Sequence, residues 1–240
     1  PKGVLLPGSP QRVDLVLDVL EEGACLNITE SSAPPVADIR VLNWLVSTGI
    51  GTTSAELYPR AVQHWGGTAI RIGTTGSIPA LPLPGDLIIQ VAAMRADGTS
   101  DCYIDRSFPA VANLDVVMLW AKPASIWDFV TDMEYVQPFL PVYRPGRKLS
   151  EQGYWPSSAQ HLIDDLRQAR VTNIDTDSAG QFVVGYLHNM RMASILSVIT
   201  NRLDNTWSTD DSSERRACRA ACEALHILQQ RDRHKSSFRL

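Results

Sequence analysis

Cysteine is scarce in this sequence: Cys25, Cys102, Cys218 and Cys222 are the only four among 240 residues. No two of them form a CxxC pair, and no histidine stands at zinc-site spacing from them. A disulfide scaffold and a zinc finger are thereby excluded, and four scattered free thiols fit a reducing compartment. Cys218 and Cys222, four residues apart in a helical pattern, are expected to share one packed face. A basic excess is also missing. Lys+Arg is 22 against 26 Asp+Glu, a net charge of −4 with pI ≈ 5.7, which argues against broad nucleic-acid binding. A small anion held by two or three arginines remains compatible with that balance. No apolar run approaches the roughly 18 residues of a membrane span, and the opening residues show no secretory pattern. A cytoplasmic protein without a membrane partner is therefore expected. Repeats and low-complexity tracts are absent too. What is present is an ordinary globular mixture, 44% apolar and 20% charged, long enough for one α/β domain over 1–240 with a sizeable core.

Hydrophobic patterning predicts the elements. Val4-Leu5-Leu6 reads as a short buried strand, followed by the turn Pro7-Gly8-Ser9-Pro10 and a helix from Arg12 to Glu22. Val41 to Val46, Thr68 to Ile72, Leu87 to Ala93 and Met192 to Thr200 read as buried strands. Helices are expected after Ser54 to about Trp65, over His161 to Arg170, over Ser178 to His188 and over 211 to 230. Residues 97–112 look irregular, 121–158 read as a long loop rich in proline and aromatics, and 231–240 as a frayed tail. Buried strands separated by helices imply a largely parallel or mixed sheet.

Two strand ends carry glycine-rich segments that read as turns. Such turns expose backbone N–H groups and let an anion approach the main chain. Gly49-Ile50-Gly51-Thr52-Thr53-Ser54 matches the first part of a dinucleotide fingerprint but lacks the third glycine and an acidic strand end. A tight strand-to-helix turn is the preferred reading there. Arg71-Ile72-Gly73-Thr74-Thr75-Gly76 is more informative, because an arginine near the end of a buried strand is costly unless it meets an anion. An external anion is favoured, since the two threonines add donors. The alternative is an internal carboxylate such as Asp86. Gly8-Ser9-Pro10-Gln11-Arg12 divides evenly between a phosphate contact and a helix start. The five histidines are read as structural or solvated, and Trp44 and Trp65 as packing residues.

Taken together these segments resemble the nucleoside phosphorylase family, in particular its uridine phosphorylase branch. The resemblance rests on Leu5-Leu6-Pro7-Gly8-Ser9-Pro10-Gln11-Arg12-Val13, Ser47-Thr48-Gly49-Ile50-Gly51 and Arg71-Ile72-Gly73-Thr74-Thr75-Gly76-Ser77-Ile78. It continues through Gly85-Asp86, Arg95-Ala96-Asp97-Gly98-Thr99-Ser100, Phe108-Pro109-Ala110-Val111-Ala112 and Val198-Ile199-Thr200-Asn201-Arg202. It implies a three-layer α/β/α sandwich around a twisted mixed sheet, and reversible phosphorolysis of a nucleoside to ribose 1-phosphate and free base. Inorganic phosphate would be the co-substrate and no organic cofactor is implied.

By that resemblance Gly8, Arg12, Arg71 and Thr74 would hold phosphate, and Thr74, Thr176 and Asp177 the ribose. Thr75, Gly76 and Arg147 would meet the base, with Arg71, Arg147 and Asp177 in the catalytic roles. The family's Glu-Met-Glu stretch is matched here by Asp175-Thr176-Asp177, each carboxylate one methylene shorter. The same residues are also good N-capping chemistry for the next helix. Arg147 lies in Tyr143-Arg144-Pro145-Gly146-Arg147; a solvated loop arginine is the alternative, and the family's base-binding Gln has no clear counterpart unless Gln137 or Gln152 serves. Thr29 stands where the family has a phosphate-binding arginine from a neighbouring subunit, and Arg40 is a candidate replacement. Glu30 and Ser54 match the family's monovalent-cation ligands weakly. The family assembles as dimers or hexamers of dimers, so a homo-oligomer is expected. A nucleosidase, a purine-type phosphorylase and a non-catalytic nucleoside-binding member are the alternatives of the same fold.

Overall fold

A computed structural model describes residues 2–22, 44–45, 47–49, 51, 67–120, 129–136, 161–204, 206–208 and 210–237. In chain order the elements are β1 (Lys2–Pro7), α1 (Pro10–Glu21), β2 (Trp44–Leu45), β3 (Gly67–Ser77), β4 (Leu87–Arg95), β5 (Ala110–Val111) and α2 (Leu114–Trp120). They continue with β6 (Phe129–Val136), α3 (Leu162–Gln168), β7 (Asn173–Asp175), α4 (Ser178–Leu187), β8 (Met190–Asn201) and α5 (Ser212–Ser237). A single 3₁₀ turn spans Ser100–Cys102.

The strands form one eight-stranded mixed sheet. β1 runs parallel to both β2 and β3, and β3 runs parallel to β8 over its whole length. β4 joins β8 antiparallel and β6 parallel, while β7 lies between β6 and β3. Pairing thus passes from β3 through β8, β4, β6 and β7 back to β3.

Strand alternation explains why helices cover two faces. Leu5, Ile70, Ile72, Ala193 and Ile195 pack toward α1, α2 and α5, with Val13, Val16, Val116, Ala221 and Leu225. The intervening Val4, Leu6, Ala69 and Met192 pack the other way, against Ala179, Phe182 and Val183 of α4. The three layers expected from the resemblance are those two helical faces and the sheet between them. Among the described residues no helix is long and apolar enough to cross a membrane.

Four expectations need correction. Gly73-Thr74-Thr75-Gly76 is not a turn: β3 runs straight through it to Ser77, with a register shift against β8 between Thr75 and Gly76. At the shift Thr75 faces Val198 and Gly76 faces Thr200, so the extra residue is Ile199 on β8 and the glycines stay within the strand. The stretch 121–158 contains strand β6, and 97–112 contains β5 and the 3₁₀ turn. The supposed tail is helical as far as Ser237, so α5 is 26 residues long. Short β7 and α2 fell below the length at which periodicity speaks. The helix expected up to Trp65 lies outside the described residues.

Candidate functional site

The C-terminal ends of β1, β3 and β7, together with the end of β8, open onto one cavity of about 350 Å³. Its wall includes Gly8, Arg12, Gly49, Arg71, Thr74 and Gly76. Asp175, Thr176, Asp177, Thr200, Arg202 and Trp207 also line it.

At one end the chain turns from β1 into α1. Ser9 is the N-cap: its hydroxyl accepts from Arg12 N at 3.4 Å, and Pro10 occupies the first turn, where a missing N–H costs nothing. The helix-start reading of this corner therefore holds, and the same turn also borders the cavity. Arg12 is buried in the first turn of α1. Its Nε donates to Glu214 Oε2 at 2.7 Å and its Nη1 to the Ile72 carbonyl at 3.3 Å. A Cβ built on Gly8 would lie 3.4 Å from Arg71 Nη1 and 3.5 Å from Arg12 Nη1. Two guanidinium groups thus converge on one point beside a residue with no side chain.

Arg71 is 3% exposed. Its Nε donates to Asp175 Oδ2 at 3.0 Å, and its Nη2 to both Asp175 oxygens and to Asp177 Oδ2 at 2.8–2.9 Å. The internal-carboxylate alternative is therefore realised, with Asp175 and Asp177. Asp86 instead accepts from Leu83 N in a turn. The pairing uses the Nε–Nη2 edge of Arg71 and leaves Nη1 turned to Gly8. Burial and the neighbouring Asp177 carboxylate push the Asp175 carboxyl above the usual range, and Arg71 opposes them.

Asp177 occupies the N-cap position of α4, yet its side chain makes no capping bond. The carboxylate accepts instead from Gly51 N at 2.8 Å, from Arg71 Nη2 and from the Thr176 hydroxyl at 2.7 Å. Gly51 has φ +100° and Gly49 φ +76°, left-handed values that favour glycine. That turn thus serves to point an N–H at Asp177.

Along β3 the alternation puts Thr74 toward the cavity and turns Thr75 away. The Thr75 hydroxyl donates to the Ile174 carbonyl at 2.7 Å and accepts from Asn173 Nδ2 at 2.9 Å. Thr75 was expected to meet the base; its hydroxyl is instead bound to β7, although the residue lines the cavity. Gly76 lies at the far end, where an added Cβ would sit 3.0 Å from Thr200 Cγ2 and 3.2 Å from Arg202 Nε. The two ends of the cavity are about 10 Å apart along the strand. Arg202 lies 6.0 Å from the centre of the Trp207 ring, within cation–π range.

Gly8, Arg12, Arg71, Thr74, Thr75, Gly76, Thr176 and Asp177 all line this cavity. Arg147, Glu30, Ser54, Thr29 and Arg40 lie outside the described residues. Asp175, Glu214, Arg202 and Trp207 were not singled out as site residues. Arg202 carried the same signal as Arg71, an arginine at the end of an apolar strand. Glu214 carried none, being 202 residues from the arginine it holds.

The sequence matches the phosphorylase superfamily over residues 3–229. It is 32% identical over 235 residues to the uridine phosphorylase of Thermococcus kodakarensis, covering 97% of this chain and 84% of that protein. The fold is similar to the uridine phosphorylase of Vibrio fischeri, with TM-score 0.71, 19% identity and 95% and 90% of the two chains covered. It is also similar to an AMP nucleosidase from Bacteroides thetaiotaomicron, with TM-score 0.72, 18% identity and 96% and 89% covered.

Proposed function

Since the chain belongs to the phosphorylase superfamily, as a uridine phosphorylase-like pentosyltransferase, we propose that it cleaves a pyrimidine nucleoside, uridine or deoxyuridine, with inorganic phosphate. One observation carries the reading: Arg12 Nη1 and Arg71 Nη1 meet beside Gly8. Buried like charges repel, and such a meeting is stable when a multiply charged anion lies between them.

The reaction breaks the N-glycosidic bond. The bonding electron pair leaves with the base, and a phosphate oxygen bonds to the anomeric carbon. The transition state carries positive charge on the sugar, so a phosphate held against that carbon is both nucleophile and counter-charge. Arg12, Arg71, Gly8 and Thr74 hold the phosphate. Asp177 accepts a ribose hydroxyl, with Thr176 beside it. Gly76, Arg202 and Trp207 border the base. Arg147 supplies a donor to the base as negative charge develops on it. Glu30 and Ser54, a weak match to the family's pattern, are proposed as ligands of a monovalent cation, and assembly as a dimer or a hexamer of dimers is proposed with them. The partners of the reaction are two small molecules, with no organic cofactor.

Uracil release from uridine is the test. The expected result is release that requires phosphate and yields ribose 1-phosphate, and that falls at least 10²-fold in Arg71→Ala, the scale of losing a transition-state donor. Equal rates without phosphate, or an Arg71→Ala enzyme as active as the parent, would exclude phosphorolysis at this corner.

A further inference from the structure

Each arginine at the Gly8 corner is gripped from behind by a carboxylate. Arg71 rests on Asp175 through Nε and Nη2. Arg12 rests on Glu214 through Nε, at 2.7 Å. Asp175 ends β7, whereas Glu214 comes from the first turn of α5. The result is the same in both cases: the Nη1 atom faces the position beside Gly8, at 3.4 and 3.5 Å from a Cβ built there. Arg12 is further steadied by the Ile72 carbonyl.

We infer that Glu214 is a positioning residue for the anion, acting through Arg12. The inference rests on the reading of this corner as a phosphate site and assigns a role to a residue outside it. Charge alone argues against a carboxylate here, because a negative group near an anion site weakens anion binding. A long arginine side chain left to itself samples many rotamers, however, and loses that freedom when it grips a ligand. A carboxylate on Nε removes the freedom beforehand and leaves a donor edge for the ligand.

The two effects have opposite signs, so they can be separated. Inorganic phosphate is titrated by calorimetry into the full chain, into Glu214→Gln and into Glu214→Ala. Gln keeps an oxygen for Arg12 Nε and loses the charge; Ala loses both. Positioning predicts that Glu214→Gln binds phosphate at least as tightly as the parent and Glu214→Ala at least tenfold more weakly. In turnover the Ala variant raises the KM for phosphate and leaves that for nucleoside in place. A double variant, Arg12→Ala with Glu214→Ala, is expected to bind no worse than Arg12→Ala alone. Glu214→Ala binding as tightly as Glu214→Gln, or a double variant whose losses multiply, overturns the inference while the phosphate site stands. A parent protein that does not bind phosphate overturns the site and the inference together. Because the Glu214 side chain is 25% exposed, substitution there is tolerable. Glu214→Leu provides a second truncation with the same expected loss should the Ala variant fold poorly.

Discussion

Gly73 shows how closely the site depends on single atoms. An added Cβ would lie 2.7 Å from Leu196 Cδ2, 2.8 Å from Arg71 Nη2 and 2.9 Å from Arg71 Cζ. Those contacts are shorter than carbon and nitrogen atoms tolerate, and Leu196 is fully buried in β8. The Arg71 guanidinium or its neighbours would have to shift from the seat that Asp175 gives it. Gly73→Ala is therefore expected to lower kcat/KM for phosphate by roughly 10²-fold, the cost of about 1 Å of misplacement. Steady-state kinetics with phosphate as the varied substrate measure it, and a change under twofold would show that Arg71 re-seats without loss. The Asp175-Thr176-Asp177-Ser178 stretch makes a related point. Its residues are strong capping chemistry, yet Asp177 makes no cap and Ser178 donates to Gln90 Oε1 at 2.7 Å. The local preference lost because Arg71 and the Gly51 N–H are stronger partners for the carboxylate than the helix end is.

Among the elements, α5 is the one whose role sequence periodicity underestimated. Its apolar positions Ala217, Cys218, Ala221, Cys222, Leu225 and Leu228 line the core, while Glu214 in its first turn reaches Arg12. Cys218 and Cys222 share that packed face, as their spacing of four implied. Burial pushes the Cys218 thiol up to about 12, which leaves roughly one thiol in ten thousand ionised at pH 8. Burial raises Cys222 as well, reinforced by the neighbouring Cys218. Thiolate is the reactive form, so Cys218 should be inert in the native protein and the exposed Cys102 reactive. With a chromogenic disulfide reagent at pH 8, Cys102→Ser is expected to remove one rapidly reacting thiol and Cys218→Ser none. Rapid loss of a thiol in the Cys218→Ser variant would mean that α5 opens on the timescale of the assay.

For the molecule as a whole, the two faces of the sheet hold the fold together. Phe182, 1% exposed, is among the largest fully buried side chains and anchors α4 on the face away from α5. Phe182→Ala is expected to cost about 3–5 kcal/mol by transfer and cavity formation, read as a drop in the denaturation midpoint. A loss below about 1 kcal/mol would mean that α4 settles into the gap. Much of this architecture was legible in the sequence. Largely apolar runs mark β1, β3, β4 and β8, because a strand buried on both faces has few polar positions; Arg71 stood out as a charge near the end of such a strand, whereas Asp177 was reached only through the family resemblance. Periodicity could not show that the Gly-Thr-Thr-Gly segment is strand, since a bulge depends on the register of the neighbouring β8. Nor could it pair Arg12 with Glu214 or Arg71 with Asp175, separated by 202 and 104 residues. Which residues could bind an anion was set by their own chemistry, a property each carries along the chain. Which way their donors point was settled only by folding, because a guanidinium is aimed by its partners, and those arrive from strands and helices far away in sequence.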